Sequence, residues 1–178
     1  MIYFEDYLIR PLEITDLEEY FELVERNRKR LADFFTGTVS RTTNLTETKL
    51  FLEEMTNKRS KKQYYPFIIL DRVTNQFISF IDLKNVDFTI PKTEIGFYTD
   101  EKFIGKGITT KAVNILVDYS FNHFNFKKVL LRTHATNKAA QTLAEKCGFK
   151  KEGEIRMDYK TSSGEIVDLI YYGKINPK

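Results

Sequence analysis

The stretch from Thr93 to Ala112, Thr-Glu-Ile-Gly-Phe-Tyr-Thr-Asp-Glu-Lys-Phe-Ile-Gly-Lys-Gly-Ile-Thr-Thr-Lys-Ala, constrains the chain more than any other. Glu94 to Thr99 alternates polar and apolar side chains around Gly96, the pattern of a half-buried strand. From Ile108 the apolar residues recur at helical period. The turn between them holds Gly105 and Gly107. With no side chains at those two positions, the backbone N–H groups of residues 105 to 109 can turn toward one point, backed by the positive end of the following helix. Such a point suits a phosphate.

Spacing narrows the kind of phosphate. A P-loop needs Gly-x-x-x-x-Gly-Lys-Ser/Thr, but Lys106 is followed by Gly107 and the position five before Gly105 is Asp100. A dinucleotide fingerprint needs a third glycine where Thr110 stands. What remains is a shorter x-x-x-Gly-x-Gly turn. Taken alone, it reads equally as two glycines that merely bend the chain.

The 178 residues suffice for one domain with a substantial core, spanning 1–178. Basic residues number 28 and acidic residues 25, so no global field points to nucleic acid or a membrane surface. The cluster Lys58-Arg59-Ser60-Lys61-Lys62 reads as a solvated helix end. The opening residues, Met-Ile-Tyr-Phe-Glu-Asp-Tyr, lack the basic and then apolar regions of a signal peptide, and no apolar run reaches the length of a membrane span. The expected location is the cytoplasm. A single cysteine, Cys147, excludes an intrachain disulfide, and with only His123 and His134 beside it no metal is expected. Cys147 reads as a core filler rather than a nucleophile.

In chain order, a short strand from Tyr7 to Leu12 is followed by a capping box, Thr15-Asp-Leu-Glu18, which opens a helix with Tyr20, Val24 and Leu31 on one face. After Phe34-Phe35 comes a Gly/Thr/Ser loop, residues 36–43. Asn44-Leu-Thr-Glu47 then caps a helix carrying Leu50, Phe51 and Met55. Tyr64–Leu70 and Phe77–Leu83 read as a hairpin, and the Glu94 strand and the helix from Ile108 to Phe124 follow. That helix is apolar around most of its circumference and must be largely buried. The chain closes with a strand from Lys127 to Ala135, a helix capped by Asn137 and ended by Gly148, and two strands about the turn Thr161-Ser-Ser-Gly-Glu. The economical class is α+β in one domain.

A second signal lies thirty residues beyond Gly107, in Asn137-Lys-Ala-Ala-Gln-Thr-Leu-Ala-Glu-Lys-Cys-Gly-Phe-Lys-Lys-Glu-Gly153. It resembles the Asn-x-x-Ser/Ala…Lys-x-Gly-Phe-x-x-Glu-Gly segment of the GNAT family of N-acetyltransferases. The glycine turn resembles that family's acyl-CoA pyrophosphate loop, Gln/Arg-x-x-Gly-x-Gly/Ala, with Lys102 in the Gln/Arg place. Ile9-Arg-Pro-Leu, Glu94-Ile-Gly-Phe, Arg156 and Asp168 extend the likeness over nearly the whole chain, toward the RimJ/RimL-like branch that acetylates N-terminal amines of ribosomal proteins and, in some members, other amines.

The resemblance implies a mixed, mostly antiparallel seven-stranded sheet, splayed between its fourth and fifth strands, with helices on both faces. Acetyl-CoA would lie in the gap as a co-substrate, its pantetheine bonded to the backbone of Phe97, Tyr98 and Thr99 and to Asn137. Its pyrophosphate would meet Lys102, Ile104, Gly105, Lys106, Gly107, Ile108 and Thr109. Glu94 is the expected base for the acceptor amine, with a solvated strand Glu or an ion-pair partner as the alternative. A backbone N–H near Phe97 would meet the developing oxyanion. Asn27, Phe34, Phe35 and Tyr159 are the expected acceptor wall.

Two positions depart from the family pattern. The Tyr that protonates the leaving thiolate in many members is Ala144 here, and the Ser of Asn-x-x-Ser is Ala140. His134 is a possible substitute acid. These absences leave a non-catalytic acyl-CoA sensor as the alternative to an enzyme. The expected acceptor is a protein N-terminus or a small-molecule amine, and a homodimer is possible because the family often dimerises.

Overall fold

The structure is a computed structural model that describes residues 1–178. Its centre is one sheet of eight strands: β1 (Ile2–Phe4), β2 (Tyr7–Pro11), β3 (Tyr65–Asp71), β4 (Phe77–Asp87), β5 (Lys92–Thr99), β6 (Lys128–His134), β7 (Lys150–Lys160) and β8 (Ile166–Ile175). The spatial order is β1-β2-β3-β4-β5-β6-β8-β7. Neighbours run antiparallel except β5 and β6, which run parallel. The expected α+β class holds, with one strand more than the seven expected. The extra strand is β1, three residues joined to β2 by Glu5 and Asp6, with Glu5 at φ 46. Three residues are too few to display alternation, and that turn lacks the Asn-Gly signature of a tight hairpin.

Because side chains alternate across a strand, one sheet feeds two cores. On one face Ile69, Ile78, Leu83 and Ile95 pack under α4 (Ile108–His123) and α5 (Lys138–Lys146). On the other, Ile68, Leu70, Phe80 and Tyr98 pack under α1 (Leu17–Leu31) and α3 (Leu45–Ser60). In α4 the residues Ala112, Val113, Leu116 and Val117 are fully buried, as its apolar circumference requires. Cys147 is buried in the same core, and burial pushes its thiol up, outweighing the opposing pull of Lys174.

Local expectations change at three places. The Gly/Thr/Ser segment contains a short helix, α2 (Thr36–Ser40). The box at the start of α1 uses Glu13 and Asp16 rather than Thr15 and Glu18: the Glu13 N–H donates to Asp16 Oδ2 at 2.8 Å, and Arg10 grips both oxygens of the same carboxylate at 2.7 and 2.8 Å. In α3, Thr48, Leu52 and Met55 face inward while Leu50 is exposed. Asn44 does cap α3, accepting from the Glu47 N–H at 2.9 Å.

The C-terminal half of α1 clamps the end of β5. Arg26 Nε donates to Asp100 Oδ2 at 2.8 Å and its Nη2 to the Phe77 carbonyl at 3.2 Å. The Arg30 guanidinium donates to the Thr99 carbonyl. Asn27, expected on the acceptor wall, is a correction. It is 3% exposed, its Nδ2 donates to the Leu23 carbonyl at 2.8 Å, and its Oδ1 accepts from the Glu101 N–H and from Arg30, both at 3.0 Å. Both ends of the amide are occupied, so it orders the turn after β5 rather than meeting a substrate.

Asn27→Ala leaves the Glu101 N–H without its acceptor and removes one Arg30 partner, and is expected to lower unfolding free energy by about 2 kcal/mol, read as a shifted urea midpoint at unchanged slope. A second prediction concerns acid. The Arg41 guanidinium and then Lys58, at 2.6 Å, hold the Glu54 carboxyl down at about 2. A carboxyl depressed in the folded state stabilises above its unfolded value of about 4.3, and that contribution is lost as pH falls toward 2. The Glu54 side chain is more than a third exposed, so solvent screening keeps the contribution below about 1 kcal/mol. Glu54→Gln should therefore flatten stability between about pH 5 and 2 while changing it little at about pH 2 and below, measured by urea midpoints across that range.

Candidate active site

β5 and β6 are hydrogen-bonded at only three positions, Lys92 with Lys128, Thr93 with Val129 and Glu94 with Leu130. Beyond Glu94 they part. β5 remains paired with β4 through Thr99, and β6 with β8 through His134, so both strands are held in place while their facing edges stand open. The gap is a cleft of about 750 Å³. The inner edge of β5 supplies one wall, Leu131 to His134 another, and Asn137 to Ala140 the end.

The glycine turn closes the cleft at the N-terminus of α4. Gly105 and Gly107 adopt φ of 80 and 78, in the left-handed region, with no atom within 4 Å of a would-be Cβ. Conformation and not crowding therefore demands glycine at both. No backbone N–H from Gly105 to Thr110 finds a hydrogen-bond acceptor within the protein, since the first intrahelical bond is Lys111 N–H to the Gly107 carbonyl at 3.1 Å. These donors, at the positive end of a helix of 16 residues, form an anion cradle. The turn is anchored from behind by Thr109 Oγ1 and Thr99 Oγ1 at 2.6 Å, and Thr99 Oγ1 in turn meets Ser79 Oγ at 3.0 Å.

Most of the residues expected in the site meet in this cleft: Phe97, Tyr98, Thr99, Ile104, Gly105, Gly107, Thr109 and Asn137, and also Glu94, Phe34, Phe35 and Tyr159. Lys102, Lys106 and Ile108 do not line it. Lys102 and Lys106 are exposed, with the Lys106 ammonium 4.7 Å from the Phe103 ring centre, and the Ile108 side chain is buried in the core. Only their backbones belong to the turn. Asn137 Oδ1 accepts from the Ala140 N–H at 3.1 Å, so its carbonyl caps α5. Tyr159 bridges β7 to α2, its hydroxyl accepting from the Thr36 N–H at 3.0 Å.

Glu94 sits at the fork and is 5% exposed. Its Oε2 accepts from Asn85 Nδ2 at 2.8 Å and from Arg132 Nε at 2.9 Å, while Oε1 has only Lys84 Nζ at 3.5 Å. Of the two oxygens, Oε1 is the freer. Arg132 spans the fork: its Nη1 reaches the Tyr171 hydroxyl at 3.2 Å and Asp158 Oδ2 at 3.5 Å. Burial opposes the charge of Arg132, and Glu94 with the Tyr171 hydroxyl more than offsets it, so the guanidinium is held charged.

Sequence reasoning missed Lys84, Asn85 and Arg132. The signal for Asn85 was its residue type: it adopts φ 51 at a register shift in β4, a conformation asparagine tolerates, and the bulge aims its amide at Glu94. Arg132 was readable only as a charge breaking the apolar strand 129–131. At the two departing positions, Ala140 lines the cleft, whereas Ala144 is fully buried in the core. His134 lines the cleft, with its Nδ1 beside Thr136 Oγ1 and its ring 6.4 Å from that of Phe34.

Comparison with known proteins matches this architecture. The model of a family described as an acetyltransferase (GNAT) domain matches residues 7–150. YdaF of Bacillus subtilis (strain 168), whose name proposes it as a ribosomal N-acetyltransferase, is 30% identical over 173 residues, covering 94% of this chain and 90% of its own. The crystal structure of a ribosomal-protein-alanine acetyltransferase from Vibrio fischeri superposes with a TM-score of 0.92 at 24% identity, over 99% of this chain and 97% of its own. RimL, an alpha-N-protein acetyltransferase of a ribosomal protein, solved in complex with coenzyme A, gives a TM-score of 0.88 at 17% identity, over 97% of this chain and 95% of its own. Those two likenesses concern the fold. With the family model covering most of its length, the chain belongs to the GNAT family and is an N-acetyltransferase.

Proposed function

We propose that the protein transfers the acetyl group of acetyl-CoA to a primary amine, with the N-terminal α-amine of a protein as the first candidate acceptor and a small-molecule amine as the second. One observation carries the reading: an open strand edge runs directly into a row of unbonded N–H groups at a helix N-terminus. A pantetheine amide chain fits the former and a pyrophosphate the latter. The residues present suit acetyl-CoA: the backbone of Phe97 to Thr99 and Asn137 would hold the pantetheine arm, and residues 104–109 the pyrophosphate. The coenzyme A bound to RimL and the ribosomal-protein relatives support both halves of the proposal.

The thioester supplies an activated acyl carbon. The acceptor arrives as an ammonium and must lose a proton before its nitrogen can attack. Glu94 takes that proton at Oε1, its freer oxygen, directly or through one water. The neutral nitrogen forms a bond to the carbonyl carbon, and the Phe97 N–H steadies the oxygen that becomes negative. The C–S bond then breaks as the nitrogen, now positive in the tetrahedral adduct, gives up its second proton to solvent, leaving a neutral amide. Because a thiol has a pKa of about 8.5, the thiolate leaves readily and takes its proton from solvent, which accommodates alanine at 140 and 144.

Incubating the protein and acetyl-CoA with peptides bearing free N-termini, polyamines and amino sugars should yield an acetylated product in the mass spectrum. Acetyl-CoA binding without any product would overturn the catalytic reading. Glu94→Gln should lower kcat on the order of 100-fold near pH 7, with the loss shrinking as pH approaches the amine's own pKa; a loss independent of pH removes Glu94 as base. Gly107→Val forces a β-branched side chain to φ 78 and should abolish the thermal protection conferred by acetyl-CoA while the apoprotein stays folded. Undiminished protection would refute the cradle.

A further inference from the structure

The reaction above accounts for Glu94 and leaves a second buried carboxylate unused. Asp82 stands on β4 opposite Gly96 of β5 and is 8% exposed. Its Oδ2 accepts from the Tyr64 hydroxyl at 2.6 Å. Its Oδ1 has no partner, and it is the one negatively charged atom among the buried side-chain atoms in that condition. A buried carboxylate oxygen without a donor is unfavourable, so a protein that keeps one must gain from it elsewhere.

The position of Oδ1 says what it faces. A Cβ built on Gly96 would lie 2.6 Å from Asp82 Oδ1. Oδ1 therefore hangs over the bare backbone of Gly96, which lines the cleft beside Glu94 and Phe97. Asp82 also lines a second hollow of about 410 Å³ that shares Phe34, Phe35, Lys84 and Tyr159 with the cleft. The carboxylate belongs to the wall of the hollow, which also holds the rings of Phe34, Phe35 and Phe80, and reaches the seam with the cleft only through the Gly96 backbone beneath it.

Charge at the seam favours a cationic visitor. Around the fork the carboxylates of Asp82, Glu94 and Asp158 face two cations, Lys84 and Arg132. Arg132 is committed to Glu94 and Asp158, while the half-buried Lys84 ammonium is shared: Glu94 Oε1 lies 3.5 Å from it, burial opposes its charge, and Asp82, ahead of Glu94, is the charge that most favours its protonated form. Lys84 Nζ comes within 3.0 Å of the same Gly96 point without closing an ion pair with Asp82, so one cation stands against two carboxylates there. On the outer wall of the hollow Arg41, partly exposed, and Lys58, exposed, both bind Glu54, where solvent screens them.

We propose that Asp82 Oδ1, over the bare face of Gly96, is the docking point for the acceptor's ammonium group, and that the hollow takes the alkyl stem behind it. The assignment rests on the amine-acetylating reading given above and names the group that recognises the amine. Two tasks then fall to two carboxylates. Asp82 binds and aims the nitrogen, while Glu94, whose partner Lys84 lies two residues along β4 from Asp82 and hence about 7 Å away, takes the proton. The Tyr64 hydroxyl on Oδ2 fixes the direction in which Oδ1 points. Such a subsite selects a primary ammonium on an aliphatic or aromatic stem and rejects a neutral alcohol of the same shape.

The test uses n-butylammonium as the probe, with n-butanol as the neutral control. In the wild-type protein saturated with coenzyme A, the carbon-13 signal of the Asp82 carboxyl should move saturably with n-butylammonium and stay still with n-butanol. Asp82→Asn keeps the Tyr64 contact and removes one of the two carboxylate charges that face Lys84, a loss offset by relief of the bare buried oxygen, so its unfolding midpoint should stay close to that of the wild type. Its KM for n-butylamine should rise on the order of 30-fold, with kcat within about threefold and acetyl-CoA affinity unchanged. An Asp82 signal indifferent to n-butylammonium, or an unchanged KM, overturns the proposal and leaves Asp82 as a Tyr64 partner solvated by a trapped water. A lowered midpoint with unchanged KM overturns it equally, as a structural role. If no amine is acetylated at all, the transferase reading fails while the titration still decides Asp82.

Discussion

The open inner edge between β5 and β6 is the constraint on which the rest of the molecule depends. A strand edge inside a protein normally finds a partner, because unpaired N–H and C=O groups away from water are costly. Here both strands are committed on their far sides, β5 to β4 through Thr99 and β6 to β8 through His134, and neither can swing to close the gap. What keeps them apart sits at the far end of the fork. Thr99 is tied to Thr109 and Ser79 and held by Arg30, while Asp100 and Glu101 are gripped by Arg26 and Asn27. Helix α1, on the opposite face from the glycine turn's own helix, thus sets where that turn stands.

The fork needs electrostatic support as well as backbone geometry. Glu94 is the last residue of β5 to pair with β6, and Arg132 lies two residues past the last pairing position on β6. Their ion pair bridges the strands where the ladder ends. A buried pair of this kind adds little net stability, since desolvation consumes most of the Coulombic gain. Its value lies in direction: the guanidinium also reaches Tyr171 and Asp158, so β5, β6, β7 and β8 are registered against one another around one planar group.

The sheet and its helices were largely legible because they rest on periodicity. Phe67–Leu70 alternates into two cores, and α4 is apolar around its girth since it lies against the middle of the sheet. The turn glycines were legible for a conformational reason that is local to Gly105 and Gly107. The side chains that complete the site were hidden for the opposite reason. Arg132 matters because β6 brings it alongside Glu94, 38 residues away, and Asn85 because a bulge redirects it; neither fact has a local signature. Asn27 misled in the same way. A polar residue on the helix before two adjacent aromatics looks available, but it is buried by a turn 74 residues further on.

Local rules are broken most densely around the cleft. Asn85 takes a left-handed conformation inside a strand, Gly105 and Gly107 take it before a helix, the donors from Gly105 to Thr110 go unbonded, and Asp82 keeps a bare carboxylate oxygen. A sequence that satisfies propensity, capping and pairing elsewhere relaxes them where function asks for it. Each departure has its own physical meaning: unbonded N–H groups await negative charge, an open strand edge awaits an amide chain, and an unpaired carboxylate awaits positive charge. An acyl-CoA and an ammonium would supply all three together. That single pair of ligands would remove the main local conflicts of the fold, and this convergence is a stronger argument for the site than any one of its residues.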